Sequence, residues 1–225
     1  MQKKDVPQRA SFLYNAFDSL IIGIKESHRK GDGTMCGRYA LEATKRELWE
    51  RYLLGEMAED VEERAEIFPT NCTPLIVPDN DLVHHRWGFV EPFAKRPLIN
   101  ARAETILEKP TFSQPFRTAR CLVPATAFFE WEKVGEEKLK RKISVADIPI
   151  FSMAGILKTY QDENGKPFTA FSIITTAAND QMRAIHDRMP VILDPEDEAL
   201  YLDQKADPNL VWKLLKPTEH RLLIQ

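Results

Sequence analysis

Cys36 has the most distinctive chemistry in the chain, because it follows a methionine in the stretch Met35-Cys36-Gly37-Arg38. As the first residue of a mature chain it would carry a free α-amine and a thiol on adjacent carbons. Reference pKa values of about 7.7–8.0 for the amine and about 8.5 for the thiol leave both partly nucleophilic near neutral pH. The amine can attack an aldehyde to give an imine, and the thiolate can then close a five-membered thiazolidine ring. The sequence therefore predicts covalent capture of an aldehyde at Cys36.

The position of Cys36 leaves three interpretations open, because 34 residues precede Met35. Met35 is the true start of the chain, or a leader is made and cleaved, or the leader is retained and Cys36 is internal. The third interpretation would disable the thiazolidine chemistry. We interpret residues 1–34 as a leader that is over-called, cleaved or an amphipathic extension, with an untranslated or disordered segment favoured over a functional helix, and residues 35–225 as the catalytic domain.

Glu130 and His186 are candidates for proton transfer. Glu130 lies between Phe129 and Trp131 in a strand-like run, and a carboxyl in an apolar setting can act as an acid or base near neutral pH. The alternative is an outward-facing glutamate between two inward aromatic side chains. His186 has the side chain best suited to proton transfer at neutral pH, although a lone histidine is more often a surface or satisfied core residue.

Arginine and aromatic side chains offer contacts for a nucleic acid. Asn100 and Arg102 are two residues apart and share a face if they lie in a strand. Arg38 and Arg102 could each hold a phosphate through paired hydrogen bonds, and ordinary surface ion pairs are the alternative. Trp87 could stack on a base, whereas a place in the core is its default.

Composition limits the possible classes of protein. The 225 residues are 43% hydrophobic and 29% charged with a net charge of −3, which fits one globular domain plus a leader and no polycation. Three cysteines without paired spacing, and no stretch long enough to span a membrane, indicate a reducing, cytoplasmic compartment. No zinc spacing, phosphate loop or dinucleotide fingerprint is present, so we expect no metal and no cofactor.

The predicted fold class is α+β, because many short strands alternate with a few helices without βαβ regularity. Thr44 and Glu47 form a capping-box pattern for a helix ending near Leu54. Other predicted elements are a buried strand over Cys36–Leu41, a hairpin of Leu75–Val77 with Leu82–Phe89, a hairpin within Trp131–Lys142, strands over Ile148–Leu157 and Phe168–Thr175, a short helix over Thr176–Ile185, a strand over Val191–Leu193, helices over Glu196–Leu202 and Pro208–Leu215, and a terminal strand over Arg221–Ile224.

Six motifs, taken in order, resemble those of the SOS-response-associated peptidase (SRAP) family, and the resemblance covers Met35 to Gln225. They are Met35-Cys36-Gly37-Arg38, Arg86-Trp87-Gly88-Phe89, Ile99-Asn100-Ala101-Arg102-Ala103-Glu104-Thr105, Arg120-Cys121-Leu122-Val123-Pro124, Phe129-Glu130-Trp131 and Ala184-Ile185-His186-Asp187-Arg188-Met189-Pro190.

The resemblance implies a function in DNA damage. Family members protect abasic sites in single-stranded DNA by a covalent cross-link in which the N-terminal cysteine forms a thiazolidine with the ring-opened sugar. By motif, Cys36 would be the nucleophile, Asn100 would orient it, Glu130 would act as acid and base, and His186 would protonate the sugar oxygen. Arg38 and Arg102 would hold flanking phosphates, Trp87 would lie against a base, and Pro69 would line a wedge between strands.

The resemblance also implies a fold of curved mixed and antiparallel β-sheets that form a barrel-like core flanked by short helices. It implies autocatalytic removal of the residue before the cysteine, β-lyase-type nicking, and a bacterial, nucleoid-associated monomer. Family members carry a further Val- and Asn-rich segment near the end, so we expect the carboxyl end at Gln225 to be shortened. Two alternatives to the cross-linking function remain open: an N-terminal-nucleophile peptidase acting on protein, and an inactive single-strand DNA binder.

Overall fold

The structure, a computed structural model, describes residues 37–55 and 61–225. The predicted leader and Cys36 itself lie outside these residues. The described part contains thirteen strands and four α-helices. They are β1 (Tyr39–Leu41), α1 (Lys45–Tyr52), β2 (Arg64–Ile67), β3 (Cys72–Val77), β4 (Asp81–Trp87), β5 (Asn100–Arg102), α2 (Pro110–Thr118), β6 (Arg120–Ala125), β7 (Ala127–Val134), β8 (Glu137–Val145), β9 (Phe151–Gln161), β10 (Pro167–Ala177), β11 (Arg188–Pro190), β12 (Ile192–Leu193), α3 (Glu198–Leu202), α4 (Pro208–Trp212) and β13 (Leu222–Ile224).

One sheet has five antiparallel strands in the order β13-β8-β7-β1-β2. The predicted hairpin within Trp131–Lys142 is confirmed as the pair β7–β8. The strand predicted over Cys36–Leu41 begins at Tyr39 in the structure. Tyr39 lies opposite Phe128 of β7 and Ala40 lies opposite Ala127. The strand that leads away from Cys36 is therefore an inner strand of the sheet.

The second sheet closes on itself. Strands β10, β4, β3, β6 and β9 pair in that order, and β9 also pairs with β10, so the five strands form a ring. Most pairs are antiparallel, but β10 runs parallel to β4 and to β5. Full closure leaves no free edge within the ring. The predicted α+β class with a barrel-like core of mixed and antiparallel sheets is confirmed.

A cluster of aromatic rings joins the two sheets in the core. The rings of Tyr39 and Trp87 meet edge to face with centroids 5.2 Å apart, and Trp87 stacks on Phe171 at 6.2 Å. The Tyr39 hydroxyl donates to Oγ1 of Thr73 at 3.1 Å. Tyr39 belongs to the five-stranded sheet, and the other three residues belong to the barrel. The strand adjoining Cys36 is thus fixed against the barrel by aromatic packing and a buried hydrogen bond.

The capping box of α1 is confirmed. The Thr44 side chain accepts from the backbone N–H of Glu47, and the Glu47 carboxylate accepts from the backbone N–H of Thr44 at 2.7 Å. Arg51, in the last turn of α1, makes two hydrogen bonds to the carboxylate of Glu198 in α3. Local sequence therefore begins this helix, and a contact far along the chain ties down its end.

Arg120 is a buried cation that joins two helices. Its side chain is fully buried and donates to the backbone carbonyls of Phe116 and Tyr201, each at 2.6 Å, and to the carbonyl of Asp203. Phe116 lies in α2, and Tyr201 and Asp203 lie at the end of α3. Carbonyls at helix ends lack intrahelical partners, so one guanidinium satisfies both ends. Burial lowers the pKa of Arg120.

The segment before His186 departs from the prediction. The short helix predicted over Thr176–Ile185 is wrong, because β10 continues through Ala177 and the following residues form turns. Thr175 and Thr176 are β-branched residues buried between strands, and both pair with β11. The side chain of Asn179 then accepts from the backbone N–H of Met182 and opens the turn. Helix α2, which no pattern predicted, begins with Pro110 at its first position.

The carboxyl-terminal segment is tied to this same turn. Strand β13, predicted over Arg221–Ile224, is confirmed over Leu222–Ile224 and pairs with β8. The Gln181 side chain accepts from the N–H of Leu222 at 2.8 Å and donates to the carbonyl of His220 at 3.0 Å. The Asn179 amide donates to the carbonyl of Thr218 at 2.9 Å. Within the described residues, no helix is long and apolar enough to cross a bilayer.

Candidate functional site

Strand β10 brings two of the predicted site segments together. On one side it pairs with β5, so Asn100 lies opposite Ile173 and Arg102 lies opposite Thr175. On the other side it pairs with β11, which follows His186. Ala101 is fully buried, whereas Asn100 is half-buried and Arg102 is exposed. Asn100 and Arg102 therefore share the face that does not point into the core, as the spacing predicts.

His186 has a defined proton arrangement. Its Nδ1 accepts from the backbone N–H of Arg188 at 3.1 Å and also lies 2.9 Å from Oδ1 of Asp187. The Nδ1 atom cannot both accept a hydrogen bond from the Arg188 N–H and donate one to the Asp187 carboxylate. We favour acceptance, because the backbone N–H is fixed in place and the Asp187 side chain is 87% exposed. The ring then carries a proton on Nε2, which can donate a hydrogen bond to a bound group.

Arg188, the first residue of β11, connects the turn that follows β5 to strand β10. It makes two hydrogen bonds to the carboxylate of Glu104, at 2.6 and 3.0 Å, and one to the carbonyl of Thr175 at 2.8 Å. Burial tends to raise the pKa of Glu104, but the hydrogen bonds from Arg188 outweigh it and hold that pKa below the usual range. No role was predicted for Arg188, although its place in the His186 motif was a signal for one.

Glu130 is buried in the middle of β7, with 3% of its surface exposed. The alternative of an outward-facing glutamate is therefore excluded. In the antiparallel register, Tyr39 faces Phe128, and the N–H of Phe129 donates to the carbonyl of Arg38 at 3.0 Å. Continuing this register aligns Glu130 with Gly37. A buried carboxyl thus lies across from the residue that follows Cys36.

The two cysteines of the described part differ from what is expected of a nucleophile. Cys121 is fully buried, and burial raises the pKa of its thiol far above the usual range. A buried thiol with a raised pKa is inert at neutral pH. Cys72 is half-buried and forms no disulfide. Within the described residues, no group of three His, Cys, Asp or Glu side chains is placed to hold a metal ion.

Arg38 lies between two aromatic rings at the surface. Its guanidinium carbon is 4.7 Å from the centroid of Phe68 and 5.1 Å from that of Trp131, and Nη1 contacts the Glu66 carboxylate at 3.2 Å. Stacked guanidinium groups keep their N–H edges free for hydrogen bonds in the ring plane. Phe68 is 41% exposed. Sequence reasoning assigned no role to Phe68 or Trp131, which the structure places beside the arginine.

The predicted contact of Trp87 with a base needs correction. Trp87 is fully buried, packs between Tyr39 and Phe171, and donates from Nε1 to the carbonyl of Ile99 at 3.0 Å. No face of the ring is available to a nucleotide. Because Tyr39 lies three residues after Cys36 and Ile99 precedes Asn100, Trp87 instead fixes the distance between two parts of the site.

Pro69 lies at the surface in the turn between β2 and β3. It is half-buried and follows the exposed Phe68. The next residue, Thr70, has a positive φ of 75° and donates its N–H to the carbonyl of Trp87 at 2.8 Å. Asn71 holds the turn from the other side, because its side chain accepts from the N–H of Phe68. The turn that presents Phe68 and Pro69 is therefore rigidly attached to the barrel.

Comparisons with known proteins identify the family and the fold. The family model described as "SOS response associated peptidase (SRAP)" matches residues 35–224. The chain is 35% identical over 195 residues to "Abasic site processing protein YoqW" of Bacillus subtilis, which covers 81% of this chain and 87% of that protein. It is 34% identical over 186 residues to "Abasic site processing protein YedK" of Escherichia coli, covering 76% and 81% of the two chains. A crystal structure of a Bacteroides thetaiotaomicron protein superposes with a TM-score of 0.75 at 29% identity, over 84% of this chain and 91% of that one.

Proposed function

The chain belongs to the SOS response associated peptidase family, and on this premise we propose that it processes abasic sites in DNA by forming a covalent adduct through Cys36. Its relatives in Bacillus subtilis and Escherichia coli carry the name abasic site processing protein. The observation that carries the proposal is the burial of Glu130 across from Gly37. A buried carboxyl close to the start of the strand that follows an N-terminal nucleophile suits acid–base catalysis of imine formation.

The reaction begins with the sugar. An abasic deoxyribose is mainly a closed hemiacetal, and its ring must open to expose the C1′ aldehyde. The Glu130 carboxylate takes the proton from the anomeric hydroxyl as the bond from C1′ to the ring oxygen breaks. His186 donates a hydrogen bond from Nε2 to the leaving ring oxygen and stabilises its negative charge, and water supplies the proton that this oxygen finally takes. Asn100 holds Cys36 and the sugar in register. The His186 tautomer described above supports this assignment, because its acceptor nitrogen is already occupied by the N–H of Arg188.

Capture of the aldehyde follows in two steps. The Cys36 amine attacks C1′, and the carbinolamine loses one water to give an imine, for which Glu130 supplies the proton. The Cys36 thiolate then attacks the imine carbon and closes the thiazolidine ring. Both nucleophiles must belong to the first residue, so we propose that the chain acts after residues 1–35 have been removed or were never made. Removal of the preceding residue by the same site would be the autopeptidase step, and elimination from the imine would be a lyase step.

Phosphate contacts would position the lesion without reading sequence. Arg38 lies between Phe68 and Trp131 at the surface and is two residues after Cys36 in the sequence. Arg102 is exposed on the edge of the β5–β10 pair. Pro69 and Phe68 stand on a rigid turn, which suits a wedge against the neighbouring base. We propose a single strand as the substrate, because a lesion in a single strand can reach the site without breaking base pairs.

The test is a covalent shift on a denaturing gel. Protein that begins at Cys36 is incubated with a uracil-excised single-stranded oligonucleotide. We expect an adduct that Cys36→Ala abolishes. The control Cys72→Ala should leave the adduct unchanged, because Cys72 is not the first residue of the chain and offers no free amine. Turnover of a peptide without any DNA adduct would instead support a peptidase. Binding without an adduct would indicate an inactive single-strand binder.

The role of Glu130 is tested separately. Glu130→Gln should slow adduct formation by about 100-fold or more, which is typical for loss of a general acid or base. Affinity for DNA, measured by fluorescence anisotropy, should remain close to that of the unchanged protein. A thermal melt checks that the variant is folded. Parallel losses of rate and of affinity would contradict an acid–base role.

A further inference from the structure

The β7–β8 hairpin carries lysines and aromatic residues together on one face. Side chains alternate along each strand, so residues that lie directly opposite each other across the pair share a face. Three successive cross-strand pairs form this face: Phe129 with Lys142, Trp131 with Lys140, and Lys133 with Lys138. We call these six residues the lysine–aromatic face. The buried Glu130 belongs to the opposite face of the same hairpin.

At the inner end of this face, a lysine contacts an aromatic ring and two lysines contact carboxylates. The Nζ of Lys140 lies 4.3 Å from the centroid of Phe129 and also contacts the Glu66 carboxylate. That contact holds the pKa of Glu66 below its usual range. Lys142 contacts Glu42. The positive charges at this end are thus partly compensated.

The lysine charges at the outer end of this face are not compensated by carboxylates in the same way. Lys133 and Lys138 are exposed and directly opposite each other. Within residues 37–55 and 61–225, neither lysine forms an ion pair. Like charges at directly opposed positions destabilise a strand pair. Glu136 and Glu137 lie in and after the turn, but Glu137 is opposite Val134, which places it on the other face. The uncompensated pair suits an anionic partner that lies along this face.

The lysine–aromatic face begins beside Arg38. Trp131 contacts the Arg38 guanidinium, which is two residues from Cys36. Cross-strand pairs on one face are about 6.8 Å apart along the strands, so three pairs extend about 14 Å from Arg38 toward the hairpin tip. The chain has a net charge of −3, so this positive strip is a local feature. Two aromatic rings beside a row of lysines suit a single strand, because its bases can stack on rings while its phosphates contact cations.

We propose that the lysine–aromatic face is a binding track for single-stranded DNA on one side of the lesion. The inference rests on the proposed function and extends it from the lesion to the flanking strand. Lys133 and Lys138 would contact phosphates several nucleotides from the abasic site. The track runs in one direction, from Arg38 toward the hairpin tip, so we expect it to engage the flank on one side of the lesion and not the other.

The experiment uses the double variant Lys133→Gln/Lys138→Gln. The control is Lys166→Gln/Lys213→Gln, which removes two exposed lysines outside this hairpin. Two oligonucleotides of about 15 nucleotides carry the abasic analogue tetrahydrofuran near the 5′ end or near the 3′ end. Dissociation constants are measured by anisotropy over a series of salt concentrations. Each lost phosphate contact lowers the salt slope of a single strand by about 0.7, so the double variant should lose about 1.4 on one oligonucleotide only.

Three results would overturn the inference: unchanged slopes on both oligonucleotides, equal losses on both, or an equal loss in the control variant. Adduct formation on a short oligonucleotide with a natural abasic site separates this inference from the proposed function. If the double variant still forms that adduct but shows no loss of slope on either flank, only the track is wrong. If the unchanged protein forms no adduct with any DNA, the proposed function fails first.

Discussion

Replacing Trp87 by phenylalanine distinguishes a structural tryptophan from one that contacts DNA. The indole is fully buried, and its Nε1 donates to the carbonyl of Ile99. Phenylalanine keeps an aromatic ring against Tyr39 and Phe171 but removes the N–H and part of the ring volume. The change therefore affects the connection between β1 and β5 without altering any exposed group.

The expected loss of stability follows from these contacts. A buried carbonyl left without its donor costs about 1–3 kcal/mol. The space left by the smaller ring adds about 1 kcal/mol, since a complete truncation of a core aromatic costs about 3–5 kcal/mol. Together they give about 2–4 kcal/mol. In a domain of this size, each kcal/mol lowers the Tm by about 2–4 °C, so the Tm should fall by about 5–15 °C.

Trp212 offers a matched control. Its Nε1 also donates to a backbone carbonyl, that of Ala103 at 2.9 Å, but its ring is 41% exposed. Trp212→Phe should lower the Tm by only a few degrees. Thermal unfolding is followed by circular dichroism, and DNA affinity is measured at least about 20 °C below the lower Tm, where each variant is folded. Trp87→Phe should then bind DNA like the unchanged protein. An unchanged Tm together with a tenfold weaker affinity would refute the structural assignment.

Three further changes test other contacts. Arg120→Met should destabilise the protein by about 3 kcal/mol or more, measured by urea unfolding, because buried carbonyls at two helix ends lose their donor; a loss below about 1 kcal/mol would contradict this. Gly88→Ala should cost about 2 kcal/mol or more in the same assay, because Gly88 has φ of 114° and an added Cβ would lie 2.6 Å from the Cβ of Pro97. Gly165→Ala, with φ of 75° and open space, should cost less. Glu104→Gln should lower the Tm slightly at pH 7 and not at pH 3.

The sign of the pH effect comes from the depressed pKa of Glu104. A carboxyl whose folded pKa is lowered stabilises the protein above its unfolded pKa, about 4.3, and loses this contribution as the pH falls through the folded value. At pH 3 the folded protein is losing the advantage of the Arg188 contact, so the two proteins should converge. The side chain of Glu104 is 47% exposed, which keeps the difference small at pH 7. A Tm difference that grows toward acidic pH would contradict the assignment.

Local sequence signals predicted the parts of the fold that depend on near neighbours. The Thr44–Glu47 capping box and the β7–β8 hairpin involve residues a few positions apart, and both appear as predicted. The helix predicted before His186 failed because strand pairing with β11 extends β10 through Ala177. Tertiary pairing overrides a weak helical pattern.

Alternation along a strand does not reveal which face points inward, and this limited the prediction of the site. Glu130 could face either way by sequence, and the structure places it inside. Trp87 could also face either way, and it too lies inside, away from any nucleotide. The structural role of Arg120 could not be predicted from the sequence, because its carbonyl partners at the end of α3 lie more than 80 positions away. The order of the six motifs indicated the family even where single residues were ambiguous.

The inner position of β1 affects how a covalently attached DNA strand could be released from the protein. Tyr39, Ala40 and Leu41 are at most 1% exposed, and β1 lies between β7 and β2. Inner strands of a sheet undergo hydrogen exchange only through the rarest and most costly openings. A strand joined to Cys36 would be anchored beside backbone that a protease cannot enter without unfolding the sheet. Digestion of the adduct down to a short peptide would therefore require an energy-driven unfolding machine, whereas chemical reversal at the sugar would leave the protein intact.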